Sequence, residues 1–411
     1  MSGTAEPTVR HDFGRLPDLA ARSAGGSVVG ASDELFAEKE NLIKSEPPGF
    51  AAATFGPKGQ IYDGWETRRR RSAGHDWAII RLGLPGVVSG VVVDTAFFTG
   101  NYPPEISVEG CGAEGYPDPA ELASADWLPL VPRAAVAGDA VNEFEVFADW
   151  RVTHVRLRMY PDGGIARLRV HGAAVADPRL LRGLVDIAAL ANGAQVTGCS
   201  NMFYSAPSNL ISPGEARNMG DGWETARRRD DANDWVEIRL AAPGRIRLAE
   251  LDTSYFIGNA PGWAALTGRL PGTGGTPSRP ARAPSGPAGA PSRPAGAPSG
   301  PAEAPGSVEL LPRTRMRPDT RHRFRIEGDA EVTGVRLDVY PDGGMARLRL
   351  AAELTAAARE QLALRWFNLL PESHAATVLA AAGGTHQSTL ASRPLTSIAG
   401  LPPPLQAHLR G

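Results

Sequence analysis

The chain has 411 residues, 42% of them hydrophobic and 21% charged, with 43 Lys and Arg set against 45 Asp and Glu. The resulting net charge of -2 gives no electrostatic footing for a nucleic-acid or membrane partner. Two cysteines, Cys111 and Cys199, exclude a disulfide framework, and the polar start and lack of long apolar runs lead to the expectation of a cytoplasmic protein of two or three domains.

Residues 1–26 read as an N-terminal segment. From residue 27 to 176 the pattern is β. Trp77–Leu82 and Val87–Val93 are apolar, β-branched runs of strand length around Gly83-Leu-Pro-Gly86. Val152–Tyr160 alternates and meets Pro161-Asp-Gly-Gly164, a turn signal that predicts a hairpin with Ile165–Val170 as its return strand. Residues 177–194 have helical spacing and read as a connector.

The pattern then starts again over residues 195–353. Asp63-Gly-Trp-Glu-Thr-Arg-Arg-Arg-Arg71 returns as Asp221-Gly-Trp-Glu-Thr-Ala-Arg-Arg-Arg229, and Tyr160-Pro-Asp-Gly-Gly164 returns as Tyr340-Pro-Asp-Gly-Gly344. Asn41-Leu-Ile43 matches Asn209-Leu-Ile211, and Asp94-Thr95 matches Asp252-Thr253. A period of this length is that of a whole domain rather than a solenoid unit. The expected fold is all-β, two tandem antiparallel sandwiches. Residues 271–306 are nearly pure Pro, Ala, Gly, Ser and Arg, a composition that cannot bury a core, so they are expected to be a disordered insert in one inter-strand loop. Residues 354–411 begin Ala- and Leu-rich and are expected to form a helical, partly disordered extension.

These motifs resemble the allantoicase family. The resemblance rests on Gly25–Ile43, Asp63–Arg70, Asp76-Trp77, Asp94–Asn101, Tyr160–Gly164 and Leu311–Arg315, and it covers about Asp12 to Phe367. It implies jelly-roll, galactose-binding-like sandwiches and hydrolysis of allantoate to ureidoglycolate and urea. The alternative, from another class, is a non-catalytic tandem galactose-binding-like module for a carbohydrate or other ligand.

Allantoate carries one carboxylate and two ureido groups on one carbon. Its cleavage calls for a carboxylate clamp, a proton donor for urea and a base for water. Arginine forks suit the clamp, which nominates Arg68, Arg69 and Arg70, with Arg228 and Glu224 as second-copy counterparts. Glu66 and Asp63 are candidates for acid–base work. His75 and Asp33 join them because the second copy has Asn233 and Asn201 there, leaving the first copy the richer ionisable set. Asn101, on a loop after Gly100, is placed to reach a ureido group. Each has a bland counterpart: Asp-Gly as a turn, Trp65 as core, the arginines as a solvated edge, His75 as a turn cap. No histidine pair or calcium-type loop calls for a metal, so none is assigned, and a divalent cation on loop carboxylates stays open. The expected partners are a small-molecule substrate and further copies of the same chain in a homo-oligomer.

Overall fold

The computed structural model describes residues 12–51, 54–57, 59–113, 115–272, 306–383 and 387–410. They divide into two compact units, residues 1–177 with 363–409, and residues 178–362 with 410–411.

In the first unit one strand organises both layers. Ser27–Ala31 is β1, the two-residue Trp65–Glu66 is β2, and Asp76–Asp94 is β3, a 19-residue strand. Its length departs from the two strands expected from sequence. Gly83-Leu-Pro-Gly86 does not end the strand; it shifts the register, with Arg81 opposite His154 and Gly86 already opposite Val152. Pro85 supplies no N–H, and a register shift is where a strand tolerates that loss. The remaining strands are β4 (Glu105–Cys111), β5 (Leu128–Ala135), β6 (Val141–Glu145), β7 (Arg151–Tyr160), β8 (Gly164–Ile165) and β9 (Arg167–Ala174).

The first half of β3 lies between β1 and β7, and its second half between β9 and β6. β4 and β5 extend the first layer beyond β7. A single strand shared by two layers makes an antiparallel sandwich, and its alternating burial follows from a side-chain period of two. Val88, Val91, Val93, Val155, Leu157, Leu168 and Val170 are fully buried between the layers. Each such aliphatic side chain contributes about 1.5–3 kcal/mol.

The expected hairpin at Pro161-Asp-Gly-Gly164 does not form. β7 and β9 both pair with β3, not with each other, and the two residues of β8 pair instead with β2. The turn therefore carries the chain across the sandwich and pins the Trp-Glu motif. Gly163, at φ +150°, has the main chain of Tyr102 and Pro103 where a Cβ would stand.

The second unit repeats the plan. Its strands are β10 (Leu184–Asp186), β11 (Gln195–Cys199), β12 (Trp223–Glu224), β13 (Asp234–Asp252), β14 (Trp263–Arg269), β15 (Ser307–Arg315), β16 (Arg321–Arg325), β17 (Val332–Tyr340), β18 (Gly344–Met345) and β19 (Arg347–Leu354). Helical spacing in the connector gives short 3-10 turns at Pro178–Leu180 and Leu190–Asn192, with β10 between them pairing with β19. The backbone pairing decides here, because β19 would otherwise present an open edge. Most of the expected insert, 273–305, lies outside the described residues; its ends meet where Arg269 pairs with Ser307.

Beyond β19, helices Ala356–Leu369, Glu372–Ala381 and Pro403–Arg410 follow. Trp366, Phe367, Leu370, Val378, Leu379 and Leu405 form a core cluster that includes Val175 and touches Val87 of the first sandwich. Ser373 Oγ donates to Asp126 at 3.0 Å. Among the described residues no helix is long and apolar enough to cross a membrane.

Candidate active site

The Asp-Gly-Trp-Glu-Thr motif spends most of its residues on building the fold. Trp65 is fully buried, and its Nε1 donates to the Asp33 carbonyl at 2.8 Å. Thr67 is buried against Gly163, exchanging main-chain and hydroxyl hydrogen bonds with it. Between them, strand alternation turns the Glu66 side chain the other way. It faces a cleft of about 490 Å³ lined by Phe36, Tyr62, Thr99, Gly100 and Asn101.

Glu66 is half-buried there. Asn101 Nδ2 donates to its Oε1 at 2.7 Å. Burial pushes its carboxyl above the ordinary range, and the Asn101 hydrogen bond only partly offsets that. Asn101 is held in turn, because its carbonyl accepts the Gly164 N–H at 2.7 Å. No described residue hydrogen-bonds Glu66 Oε2, and Glu66 lines the cleft. Aromatic rings stand beside it: Tyr62 stacks on Phe98 at 5.0 Å and lies tilted against Phe50 at 5.9 Å, and Phe50 stacks on Phe97 at 5.3 Å.

The other candidates are placed elsewhere. Asp63 accepts Arg167 Nη2 at 2.7 Å, Lys44 Nζ at 3.0 Å and the Gly49 N–H at 3.0 Å. Burial pushes its carboxyl up, but these donors outweigh it and hold it down at about 2. Arg167 is 1% exposed, so Asp63 neutralises a buried guanidinium. Asp33 accepts the Leu35 and Arg68 N–H groups and Arg68 Nε at 2.7 Å. Burial raises its carboxyl, and those bonds together bring it below its ordinary value.

Of the arginines, Arg68 is exposed and held by Asp33, and Arg69 is exposed. Arg70 is locked: its N–H donates to Asp162 and its Nη1 to the buried Asp76 at 2.8 Å. Arg228 repeats this with Asp342 and Asp234. None of the three first-copy arginines lines the cleft. His75 packs its ring on Tyr160 at 5.3 Å; burial, then Arg158, Arg70 and Arg156, lower its pKa. It too lies outside the cleft lining.

The second repeat keeps the pair at the centre. Asn259 Nδ2 donates to Glu224 Oε1 at 2.6 Å. The Tyr204 N–H donates to the Glu224 carbonyl as the Phe36 N–H does to that of Glu66. What differs is the loop before the motif. Asn41 and Asn209 are 168 apart whereas Asp63 and Asp221 are 158 apart, so the first repeat carries ten more residues there. Those residues bring Phe50 and Tyr62 to the site. Sequence reasoning passed over Phe36, Tyr62 and Thr99, although the ten-residue excess was a readable signal. Among the described residues no three His, Cys, Asp or Glu side chains gather as a metal site.

Fold and site define a class: tandem jelly-roll sandwiches, each presenting a Glu–Asn pair beside the turn that joins its layers. The Allantoicase repeat model matches residues 17–175 and 185–355. The chain belongs to the allantoicase family. It is 56% identical over 359 residues to a probable allantoicase of Nocardia farcinica, covering 86% of this chain and 99% of that one. A probable allantoicase of Streptomyces coelicolor is 47% identical, with 86% and 89% covered. The crystal structure of allantoicase from Saccharomyces cerevisiae superposes with a TM-score of 0.64 at 32% identity, over 82% of this chain and 93% of that one.

Proposed function

We propose that this protein is an allantoicase, hydrolysing allantoate to ureidoglycolate and urea, and that the cleft around Glu66 and Asn101 is its working site. Family membership over both repeats supports the reaction. The observation that supports the site is Glu66, a half-buried carboxyl in the cleft lining with one oxygen fixed by Asn101 and no described hydrogen bond on the other.

In this reading Glu66 in its ionised form takes a proton from water as the water oxygen bonds to the central carbon of allantoate. It returns that proton to the nitrogen of the departing ureido group as the C–N bond breaks. A carboxyl raised by burial suits both halves of that exchange, because it is a stronger base than an exposed glutamate and still an effective acid near neutrality. Asn101 orients the carboxylate, and Phe36 and Tyr62 reduce the water around it. Asp63, Arg70 and Asp33 build the loops that hold β2 in place, and Arg68 and Arg69 act from the rim.

The protein is proposed to work in the cytoplasm, where reduced Cys111 and Cys199 are at home. Burial pushes the Cys111 thiol up to about 12, so it is unreactive. It is further proposed to be a homo-oligomer, which would cover exposed Met202, Phe203, Tyr204 and Ile257. A monomer mass by light scattering would overturn that. The catalytic reading is tested by urea release from allantoate: Glu66→Gln should be folded and nearly inactive, whereas full turnover in that variant puts the site elsewhere.

A further inference from the structure

Arg167 and Arg347 occupy the same position in the two repeats, at the start of β9 and β19, and both are at least nine-tenths buried. Their inner contacts agree. Arg167 Nη1 donates to the carbonyls of Asp63 and Ala166, and Arg347 Nη1 to those of Asp221 and Ala346. Their outer contacts differ. Arg167 Nη2 donates to Asp63 Oδ2, but Asp221 has turned to Arg217, whose Nε lies 2.8 Å from Asp221 Oδ2. Arg347 Nη2 therefore donates to no described residue. It opens on a cavity of about 240 Å³ formed with Arg349, Arg321, Asp252, Glu250 and Glu215.

A guanidinium N–H with no protein acceptor at a cavity wall is one that a carboxylate entering from solvent can satisfy. Burial lowers the pKa of both Arg347 and Arg349, and the nearby carboxylates, Asp221 and Asp252 for Arg347 and Asp186, Glu250 and Asp252 for Arg349, only partly offset it. The Gly214 carbonyl accepts from Arg347 Nε and Arg349 Nη2, holding the two guanidinium groups together. The cavity's carboxylates face a different need. Glu250 Oε2 accepts Arg323 Nε at 2.7 Å and Asp252 Oδ1 accepts the Ser254 N–H and hydroxyl at 2.8 and 2.6 Å, whereas Glu250 Oε1 and Asp252 Oδ2 lie 3.5 and 3.6 Å from Arg321 Nε and keep acceptor capacity for N–H donors. The first repeat lacks this arrangement: Val92 stands where Glu250 is, and Val141 where Arg321 is.

We propose that this cavity of the second repeat binds a small ureido or amino acid, its carboxylate on Arg347 and its N–H groups on Glu250 and Asp252. The site is separate from the Glu66 cleft and does not depend on catalysis there.

The test is calorimetric titration of the full-length protein with N-carbamoylglycine, which carries one carboxylate and one ureido group. Wild type should show a binding component that persists in Glu66→Gln. Arg217→Ala, on the surface, releases Asp221 to close on Arg347 as Asp63 closes on Arg167, and should weaken that component at least tenfold. Arg347→Gln should abolish it, with the circular dichroism spectrum showing whether that variant folds. Urea release from allantoate at the first repeat should be unchanged in Arg217→Ala. Absence of any component in wild type, loss of it in Glu66→Gln, or its survival undiminished in both Arg217→Ala and a folded Arg347→Gln would overturn the proposal.

Discussion

The two repeats share the central hydrogen bonds of their scaffold and differ in what surrounds them. In both, a buried Trp donates to the carbonyl of a residue at the end of the first strand, Asp33 or Asn201. In both, a locked Arg joins the Pro-Asp-Gly-Gly turn to a buried Asp, Asp76 or Asp234. Their differences come in coupled groups. Asp33 with Arg68 becomes Asn201 with Ala226, so a charged pair is lost together and the turn keeps an acceptor. Asp63 with Arg167 becomes Asp221 with Arg217, and a cavity opens beside Arg347. The lesson is that a duplicated motif marks what the fold needs, whereas chemistry is tuned by the loops around it.

That comparison breaks most sharply at the two glutamates. Glu66→Gln should lower kcat for allantoate about a thousandfold, the range for loss of a general acid–base group, while Glu224→Gln costs only a few-fold. Equal losses would give both repeats working sites.

Next in size is the buried arginine. Asp63→Ala strands Arg167 and should cost about 3 kcal/mol in urea denaturation. Asp221→Ala, whose partner Arg217 is solvent-exposed, should cost about 1 kcal/mol or less. The pH dependence carries the same sign. A carboxyl held at about 2 in the fold, against 3.8 unfolded, stabilises fully above pH 4, and that contribution is lost as pH falls from 4 through 2.

Smaller again is the orienting bond. Removing the Asn101 amide takes away the donor that favours ionised Glu66, so Asn101→Ala should lower kcat about tenfold. It should also move the acidic limb of kcat/KM to higher pH, because the base now ionises later. A limb that stays put would mean Glu66 is not the titrating group. The least change is expected from Asp33→Asn combined with Arg68→Ala, which copies the second repeat. Stability should stay within about 0.5 kcal/mol, since the Arg68 end of the pair is exposed and Asn keeps an acceptor for the turn as Asn201 does.

Reading the chain alone was enough for the duplication, the β class and the family, because these rest on local patterns: alternation, turn residues and motif order. Glu66 and Asn101 were among the residues picked out, but so were Asp63, Asp33 and Arg70, whose charges are taken up by partners 19 to 104 residues away or by a neighbouring Asp. No spacing rule reveals such a partner. The same limit explains the strand and turn differences. Gly83-Leu-Pro-Gly86 and Pro161-Asp-Gly-Gly164 carry local turn signals, yet long-range pairing to β7 and β2 overrides them.

What the linear order of residues determined is which pieces exist and that they occur twice, since a strand's period and a motif's repetition need no neighbours. Only the folded state decided which carboxylates remain available and which buried arginine is left without a carboxylate hydrogen bond. Availability is a matter of what lies within 3 Å, and that is set by chain segments more than a hundred residues apart meeting across a sandwich.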